Sequence, residues 1–457
     1  MMQPVRSRAR WPWLLPLGTA LVAAGVILAA VYPGFMSYDS VRALHEARTG
    51  VLGGSYPPFV SYVWRVFDFI WPGPALMLFV QNFVLVLSFA LIMRSLGYPG
   101  IFIVAGVAAF CYAPPLLGPM LVVWKDVAVS ACLGAAVALL LAAEQANPRR
   151  STMAIAAGIL MLFFGAAYRL NAIAAVLPLV LWVAWREGFY GTTRVRSIGV
   201  GMAVFAGIAL AVSIVNRYRF PEFTPLAPNN FFETVMVFDL AGMSAVSGRN
   251  LMPVTGQASP PADAAAYLRQ IYDPRNINIV AANDIEGRLK LYENMPAPVL
   301  HAAFFDAVRR EPGAYVEHRS AVFRELIGLV DGATVMSTHP AVDDNEEGVT
   351  LRPTVLTADF INYILDTRAT TFGKPWFYYV LGTVALAISI FRRRSVSCGV
   401  AVAVYSSGGL YLLSFFFITP AADVRYNHWS IVCMFIVAAA ACRPAAMRVG
   451  AGRAAPA

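Results

Sequence analysis

The chain alternates between long apolar runs and short polar breaks. Apolar runs cover 13–31, 75–92, 101–117, 127–143, 153–167, 172–185, 198–215, 376–391, 399–418 and 429–441. Crossing a bilayer takes about 20 mostly apolar residues, somewhat fewer at the lower limit. Arginine marks every second break: Arg94, then Arg149 with Arg150, then Arg186, Arg194 and Arg196, then Arg392, Arg393 and Arg394, and finally Arg443, Arg448 and Arg453. The N-terminal flank carries Arg6, Arg8 and Arg10. Basic residues stay on the cytoplasmic side of short loops. The pattern therefore predicts an all-α polytopic membrane protein of about ten transmembrane helices, with both termini inside. The first run is span-length and no small-x-small cleavage site follows it, so it is expected to remain as a helix.

Two interruptions stand out. Residues 33–72 form an outward stretch in which 38–48 has helical composition between Gly34 and Gly50, and 59–70 has aromatics and aliphatics at helical spacing. Both are expected to be helices lying at the interface, with Trp64 and Trp71 at headgroup depth. Residues 216–374 contain no span-length run and carry most of the acidic residues, with turn signals at Asp273-Pro274 and Pro260-Pro261. Helical patterns at 263–272, 299–310 and 315–329 predict a mostly helical external domain. The run Asp343-Asp344-Asn345-Glu346-Glu347 is most simply a solvated loop. The organisation expected is an N-terminal membrane module at 1–215 with about seven helices, an extracytoplasmic domain at 216–374, and a C-terminal membrane module at 375–457 with about three helices.

Composition agrees. The chain is 58% hydrophobic and 13% charged, against about 45–50% and about 25% in soluble domains. The formal net charge of +9 comes mostly from arginine in the inward loops, so it does not indicate nucleic-acid binding. The cysteines Cys111, Cys132, Cys398, Cys433 and Cys442 lie in or at the ends of apolar segments, which predicts neither a disulfide framework nor a cysteine metal site.

The topology sends five polar elements to the outer boundary. They are Asp39, the Tyr56-Pro57-Pro58 turn, Lys125 with Asp126, Arg169 with Asn171, and Asp423 with Arg425 and Tyr426. Each has a plain structural explanation. Asp39 suits the cap of a helix starting near Ser40. Lys125 and Asp126 suit an interface, with Asp126 near a helix N-terminus that favours an anion. Arg169 can snorkel to headgroups, and Asp423 can pair locally with Arg425. Their convergence on one face is the feature that suggests chemistry on a membrane-anchored molecule. A charged group so close to hydrocarbon is costly and is expected to have work to do.

The first loop, with Ser37-Tyr38-Asp39-Ser40 and then Tyr56-Pro57-Pro58-Phe59 leading into an aromatic helix, resembles the polytopic glycosyltransferases of the GT-C superfamily. The likeness is greatest to the bacterial branch of protein mannosyltransferases and aminoarabinose transferases. It covers the layout of residues 10–200 and is specific in the first loop, and the Asp423-Val424-Arg425-Tyr426 turn is similar to a late Arg-Tyr turn of such proteins. Two positions depart from the pattern: Tyr56 stands where many relatives have His or Lys, and Ser40 follows Asp39 where many have a second acid.

The resemblance implies sugar transfer from a polyprenyl-phosphate donor to an extracytoplasmic lipid, glycan or protein acceptor, at a bacterial inner membrane. It implies Asp39 as general base, with Arg169, Lys125 and Arg425 on the donor phosphate. A divalent cation, Mg or Mn, would take Asp39 and Asp126 as its oxygen ligands, although a metal-free reaction is the first expectation. The other readings are a transporter or flippase of lipid-linked sugars, a surface-polysaccharide polymerase or ligase, and a non-enzymatic assembly factor.

Overall fold

The computed structural model describes residues 13–54, 56–144, 146–187, 194–217, 223–225, 231–253, 263–289, 295–392 and 395–443. The expectations resting on Arg6, Arg8, Arg10, Pro260, Pro261, Arg393, Arg394, Arg448 and Arg453 lie outside these residues. The described chain is helical, apart from two-residue strands at Val51–Leu52 and Thr224–Pro225 that pair in parallel and a few single bridges.

The first half contains α1 (Leu14–Ala30), α2 (Tyr38–Thr49), α3 (Pro58–Ile70), α4 (Ala75–Ser95), α5 (Gly100–Tyr112), α6 (Pro114–Met120), α7 (Lys125–Ala143), α8 (Pro148–Tyr168), α9 (Ile173–Glu187) and α10 (Arg194–Arg217). The helices of the interval 216–374 follow: α11 (Phe231–Ser247), α12 (Ala264–Ile271), α13 (Ile277–Asn283), α14 (Ala297–Arg310), α15 (Pro312–Leu326) and α16 (Val355–Thr367). The chain ends in α17 (Pro375–Phe391), α18 (Ser395–Ile418) and α19 (His428–Ala441).

Among the described residues six helices are long and apolar enough to cross a membrane, and the α5–α6 pair makes a seventh if it counts as one span. Three shorter apolar helices, Leu14–Ala30, Leu170–Trp185 and Pro375–Phe391, stand at other positions where the sequence predicts spans. The all-helical membrane architecture is therefore present. At the centre are α7 and α19: the apolar window of Val424–Ala441 is 89% buried, against 17% for Val195–Arg217 at the periphery.

Several boundaries follow from local chemistry. Proline opens α3, α6, α8, α15 and α17, where its missing N–H is no loss. Gly50 ends α2 with φ 75°, a left-handed conformation that glycine adopts without strain. Between α5 and α6 the chain bends by 76° at Ala113. Pro114 disfavours helical geometry at the residue before it, and Ala113 is extended. At Gly118 in α6, a side chain would collide with the Ser337 carbonyl, and Thr338 Oγ1 donates to the Gly118 carbonyl at 3.0 Å. This glycine lets the loop at Ser337 sit directly on α6.

The interval 216–374 packs in two ways. Helices α11 to α15 enclose their own apolar core of Phe238, Leu240, Met243, Leu268, Leu300 and Val322. Residues 327–374 instead lie on the membrane module: Met336, Val342, Phe360 and Ile361 pack against the main core, and Arg352 N donates to the Tyr32 carbonyl at 3.0 Å. The helix α11 has no counterpart among the helical patterns read from the sequence. The acidic loop is not simply solvated. Glu347 accepts from Arg48 and meets His45, both at 2.8 Å, and Asp343 N donates to the Met36 carbonyl at 2.9 Å. The loop is thereby fastened to α2. Trp64 also departs from expectation. It is buried inside the protein, whereas Trp71 is exposed beside Phe69 and Ile70 at the end of α3.

Candidate functional site

Asp39 lies in the first turn of α2, one residue beyond its start. The cap position belongs to Ser37, so the capping role expected of Asp39 is not the one it plays. Its carboxylate accepts from the Tyr56 hydroxyl at 2.6 Å through one oxygen and from Arg425 Nη1 at 2.7 Å through the other. The Asp39 side chain remains 28% exposed. Burial opposes its charge, but the Arg425 and Lys125 cations and the Tyr56 hydroxyl outweigh that and hold the carboxyl well below the usual carboxylate range. Burial, reinforced by the Asp39 charge, pushes the Tyr56 hydroxyl far above its ordinary value, so Tyr56 keeps its proton and donates.

Arg425 sits in the turn before α19. Its Nε donates to Asp423 at 3.1 Å, and its guanidinium lies 4.8 Å from the Trp124 ring centre. Burial raises the Asp423 carboxyl against the pull of Arg425. Trp124 is fixed in turn by donation to Ser37 Oγ at 2.8 Å. The pairing of Asp423 with Arg425 is local, as the plain reading has it, but the same arginine also reaches across the fold to Asp39. Neighbours 386 residues apart in sequence are thus joined in one layer.

A second charge pair stands beside the first. Lys125 and Asp126 open α7, and Arg169 follows the end of α8. Arg169 Nη1 donates to Asp126, and its Nε donates to Asn171 Oδ1 at 3.1 Å. Asn171 Nδ2 donates to Ser414 Oγ at 2.9 Å. Tyr426 lies between the two arginines, with Arg169 4.4 Å and Arg425 5.2 Å from its ring centre, and it stacks on Phe415 at 5.0 Å. An aromatic face between two guanidinium groups offsets part of their repulsion. Lys125 differs from both arginines. Its ammonium lies 4.1 Å over the Tyr56 ring and has no ion-pair partner among the described residues.

Lys125 and Arg169 line a cleft of 310 Å³ with Tyr56, Pro57, Pro58 and Phe232. Phe415, Ile418 and Asn216 complete an amphipathic wall, and Thr419 and Pro420 form its lip. Pro57 and Pro58 give the turn its shape: Pro57 precedes α3 and Pro58 opens it. Arg425 does not line this cleft. It stands behind Tyr56 with Asp39, around a separate small pocket. The structure thus brings all the sequence-selected residues into one layer, with Arg169 and Lys125 at the cleft and Arg425 on Asp39.

The two carboxylates considered for a divalent cation face different arginines, Asp39 toward Arg425 and Asp126 toward Arg169. Among the described residues no three His, Cys, Asp or Glu side chains converge in a way that could hold a metal ion. This donor set does not fit an all-protein cation site. Sequence reasoning missed Ser414 and Phe415, which sit in the apolar run 399–418, and Phe232 in the interval 216–374, none of which carries a signal of its own. It also missed the outer brace in which Arg48 joins Asp68, at 2.9 Å, to Glu347. A scan against protein-family models finds no match, and neither does a search of curated proteins or of solved structures.

Proposed function

We propose that the protein is an integral membrane glycosyltransferase of GT-C type, with about ten spans and both termini in the cytoplasm. It transfers a sugar from a polyprenyl-phosphate donor to an acceptor on the outer face of a bacterial inner membrane. The observation that carries this reading is the ammonium of Lys125, which has no ion-pair partner among the described residues, beside Arg169 at the wall of an amphipathic cleft next to Asp39. A polyprenyl phosphate has the matching form: an anion at the interface joined to an apolar tail. Phosphate oxygens would take Lys125 and Arg169, and the tail would leave along Phe415, Ile418 and Phe232.

In the reaction the acceptor oxygen attacks the anomeric carbon while the bond from that carbon to the phosphate oxygen breaks. The bonding pair leaves with the phosphate, which gains a unit of negative charge near Lys125 and Arg169. Asp39 takes the acceptor proton. A carboxylate held low by cations is a weak base, and donor binding corrects this. An anion on Lys125 offsets one of the charges that depress Asp39, so its proton affinity rises when the donor is in place. Arg425 and Tyr56 hold the carboxylate in position throughout.

The test is transfer of a labelled sugar from a set of polyprenyl-phosphate monosaccharides by the purified, reconstituted protein, comparing wild type with Asp39→Asn. Wild type is expected to transfer, and the variant to lose about 10²–10⁴-fold in rate, the usual worth of a general base. Equal rates in the two proteins would remove Asp39 from the chemistry.

A further inference from the structure

The charges of this layer balance, with Lys125, Arg169 and Arg425 against Asp39, Asp126 and Asp423. They are not placed alike. Lys125 and Arg169 line the cleft, whereas Arg425 and the carboxylates do not. Asp39 and Asp423 share Arg425. Asp126 is the carboxylate that pairs with a cation of the cleft, and its side chain is 1% exposed, against 11% for Arg169.

A fastening accounts poorly for this pair. Asp239 of α11, also buried, bonds through both oxygens, one to His318 and the other to Arg319. Asp126 bonds Arg169 through one oxygen, and its other oxygen is buried with no partner among the described residues. A buried ion pair is weak support for a fold, and one short of hydrogen bonds is weaker still. Nor does Asp126 alone hold Arg169 in place. Asn171 accepts from its Nε at 3.1 Å, and the guanidinium lies 4.4 Å from the Tyr426 ring centre and 4.8 Å from that of Phe415.

What Asp126 adds is charge, and charge is what separates donor from product in the reaction proposed above. A sugar-bearing polyprenyl phosphate is a phosphodiester with a single negative charge. The polyprenyl phosphate left after transfer is a monoester with about 1.5–2 charges at neutral pH. Two uncompensated cations would hold the product more tightly than the donor, and the cleft would stay filled. With Arg169 already paired, Lys125 remains to meet a single charge. The surplus charge of the monoester is repelled by Asp126.

We propose that Asp126 is a positioning residue that, through Arg169, matches the cleft to a singly charged phosphodiester and lets the more highly charged monoester leave. The proposal rests on the glycosyltransferase reading and adds to it a means of product release.

An equimolar competition between undecaprenyl phosphate and its methyl ester on the full chain tests it, with the bound lipids counted by native mass spectrometry. The two lipids share a tail and differ in charge. Asp126→Asn is expected to shift the bound ratio about 10-fold toward the monoester, the scale of one unit charge acting at short range inside a protein. It is also expected to bind the monoester more tightly than wild type does. Removing a merely structural partner of Arg169 would weaken both lipids alike. Asn171→Asp places a carboxylate at the Nε end of Arg169 and is expected to shift the ratio the opposite way, which decides the matter if Asp126→Asn does not fold. Lys125→Met identifies binding at the cleft. Lys125-dependent binding with the wild-type ratio in Asp126→Asn or, where that variant does not fold, in Asn171→Asp would overturn the proposal and leave the lipid-phosphate reading standing. If neither lipid binds in a Lys125-dependent way, that reading falls and the proposal falls with it.

Discussion

Two charge clusters in this protein use the same parts. In the first, Asp39 is held by Arg425 and the Tyr56 hydroxyl. In the second, Asp239 of α11 is held by Arg319 and His318 of α15, at 2.6 Å and 3.0 Å. Tyr272 contributes its hydroxyl there too, 2.8 Å from His318 Nδ1. Both join a carboxylate, an arginine and a tyrosine across distant segments. They differ in access. The Asp39 side chain is 28% exposed beside a cleft, whereas Asp239, His318 and Arg319 are sealed at 0–1%. Similar parts are left open to a cleft in one place and sealed as a fastening in the other, and burial makes the distinction.

The comparison can be broken by removing one carboxylate at a time. Asp239→Ala leaves the Arg319 charge buried and unpaired, which costs about 3–5 kcal/mol. The lobe of α11 to α15 is expected to melt early in a thermal scan, and transfer to fall only as far as folded protein is lost. Asp39→Asn keeps a hydrogen-bonding side chain near Arg425, which retains Asp423. Its stability is expected to change by less than about 1.5 kcal/mol while transfer collapses. Equal destabilisation by the two variants would mean that the Asp39 cluster is also a fastening.

A smaller effect sharpens the contrast within the first cluster. Lys125→Met removes the unpaired cation and breaks no ion pair among the described residues. It is expected to weaken binding of a polyprenyl phosphate by roughly 10-fold, the scale of one charge-assisted contact of about 1.5 kcal/mol, with the melting temperature unchanged. An unaltered affinity in a binding titration would place the phosphate elsewhere.

The smallest effect is that of pH. Burial, only partly offset by Asp239, lowers the pKa of His318 in the fold, so the unfolded state binds its proton more readily. That contribution to stability is complete above the unfolded value of about 6.5 and is lost as pH falls toward the lower folded value. The slope is at most about 1.4 kcal/mol per pH unit. The Asp39 carboxyl is depressed too, but from an ordinary value of 3.8, so its pair persists until well below pH 4. Hydrogen exchange between pH 7 and pH 5 is therefore expected to quicken in α11 and α15 and to stay constant in α2. Acceleration in α2 over that range would show that Asp39 titrates as a raised carboxyl.

These two clusters also mark how far sequence alone reaches. Asp39, Lys125, Arg169 and Arg425 are conspicuous because each interrupts or borders apolar sequence, and the arginine rhythm sends them all to one side. That logic requires only one-dimensional information. Asp239 interrupts the apolar stretch 235–243, whereas His318 and Arg319 stand among polar residues 79 and 80 positions on, and nothing in the sequence joins the two. Trp64 lies in an aromatic helix whose pattern suits a membrane interface. Its burial depends on α2 and α4 closing over it, a tertiary fact. The division of 216–374 between two cores was hidden for the same reason: residues 327–374 look polar, yet Met336, Val342 and Phe360 find partners on the membrane helices.

The turn at the cleft's lip carries one more consequence. Thr419 receives Arg319 Nη1 on its carbonyl at 2.7 Å. Pro420 receives the Ile277 N–H at 2.9 Å, Ala422 donates to the Arg275 carbonyl at 2.7 Å, and Val424 donates to the Val335 carbonyl at 2.9 Å. Three segments of the interval 216–374 thus anchor one short stretch of backbone. The lip works like a hinge plate screwed to the lobe, so tilting the lobe tilts the plate. Substitutions in α13 or α15 that touch no wall of the cleft can therefore change its width, so the positions that shape the cleft extend well beyond the residues that line it.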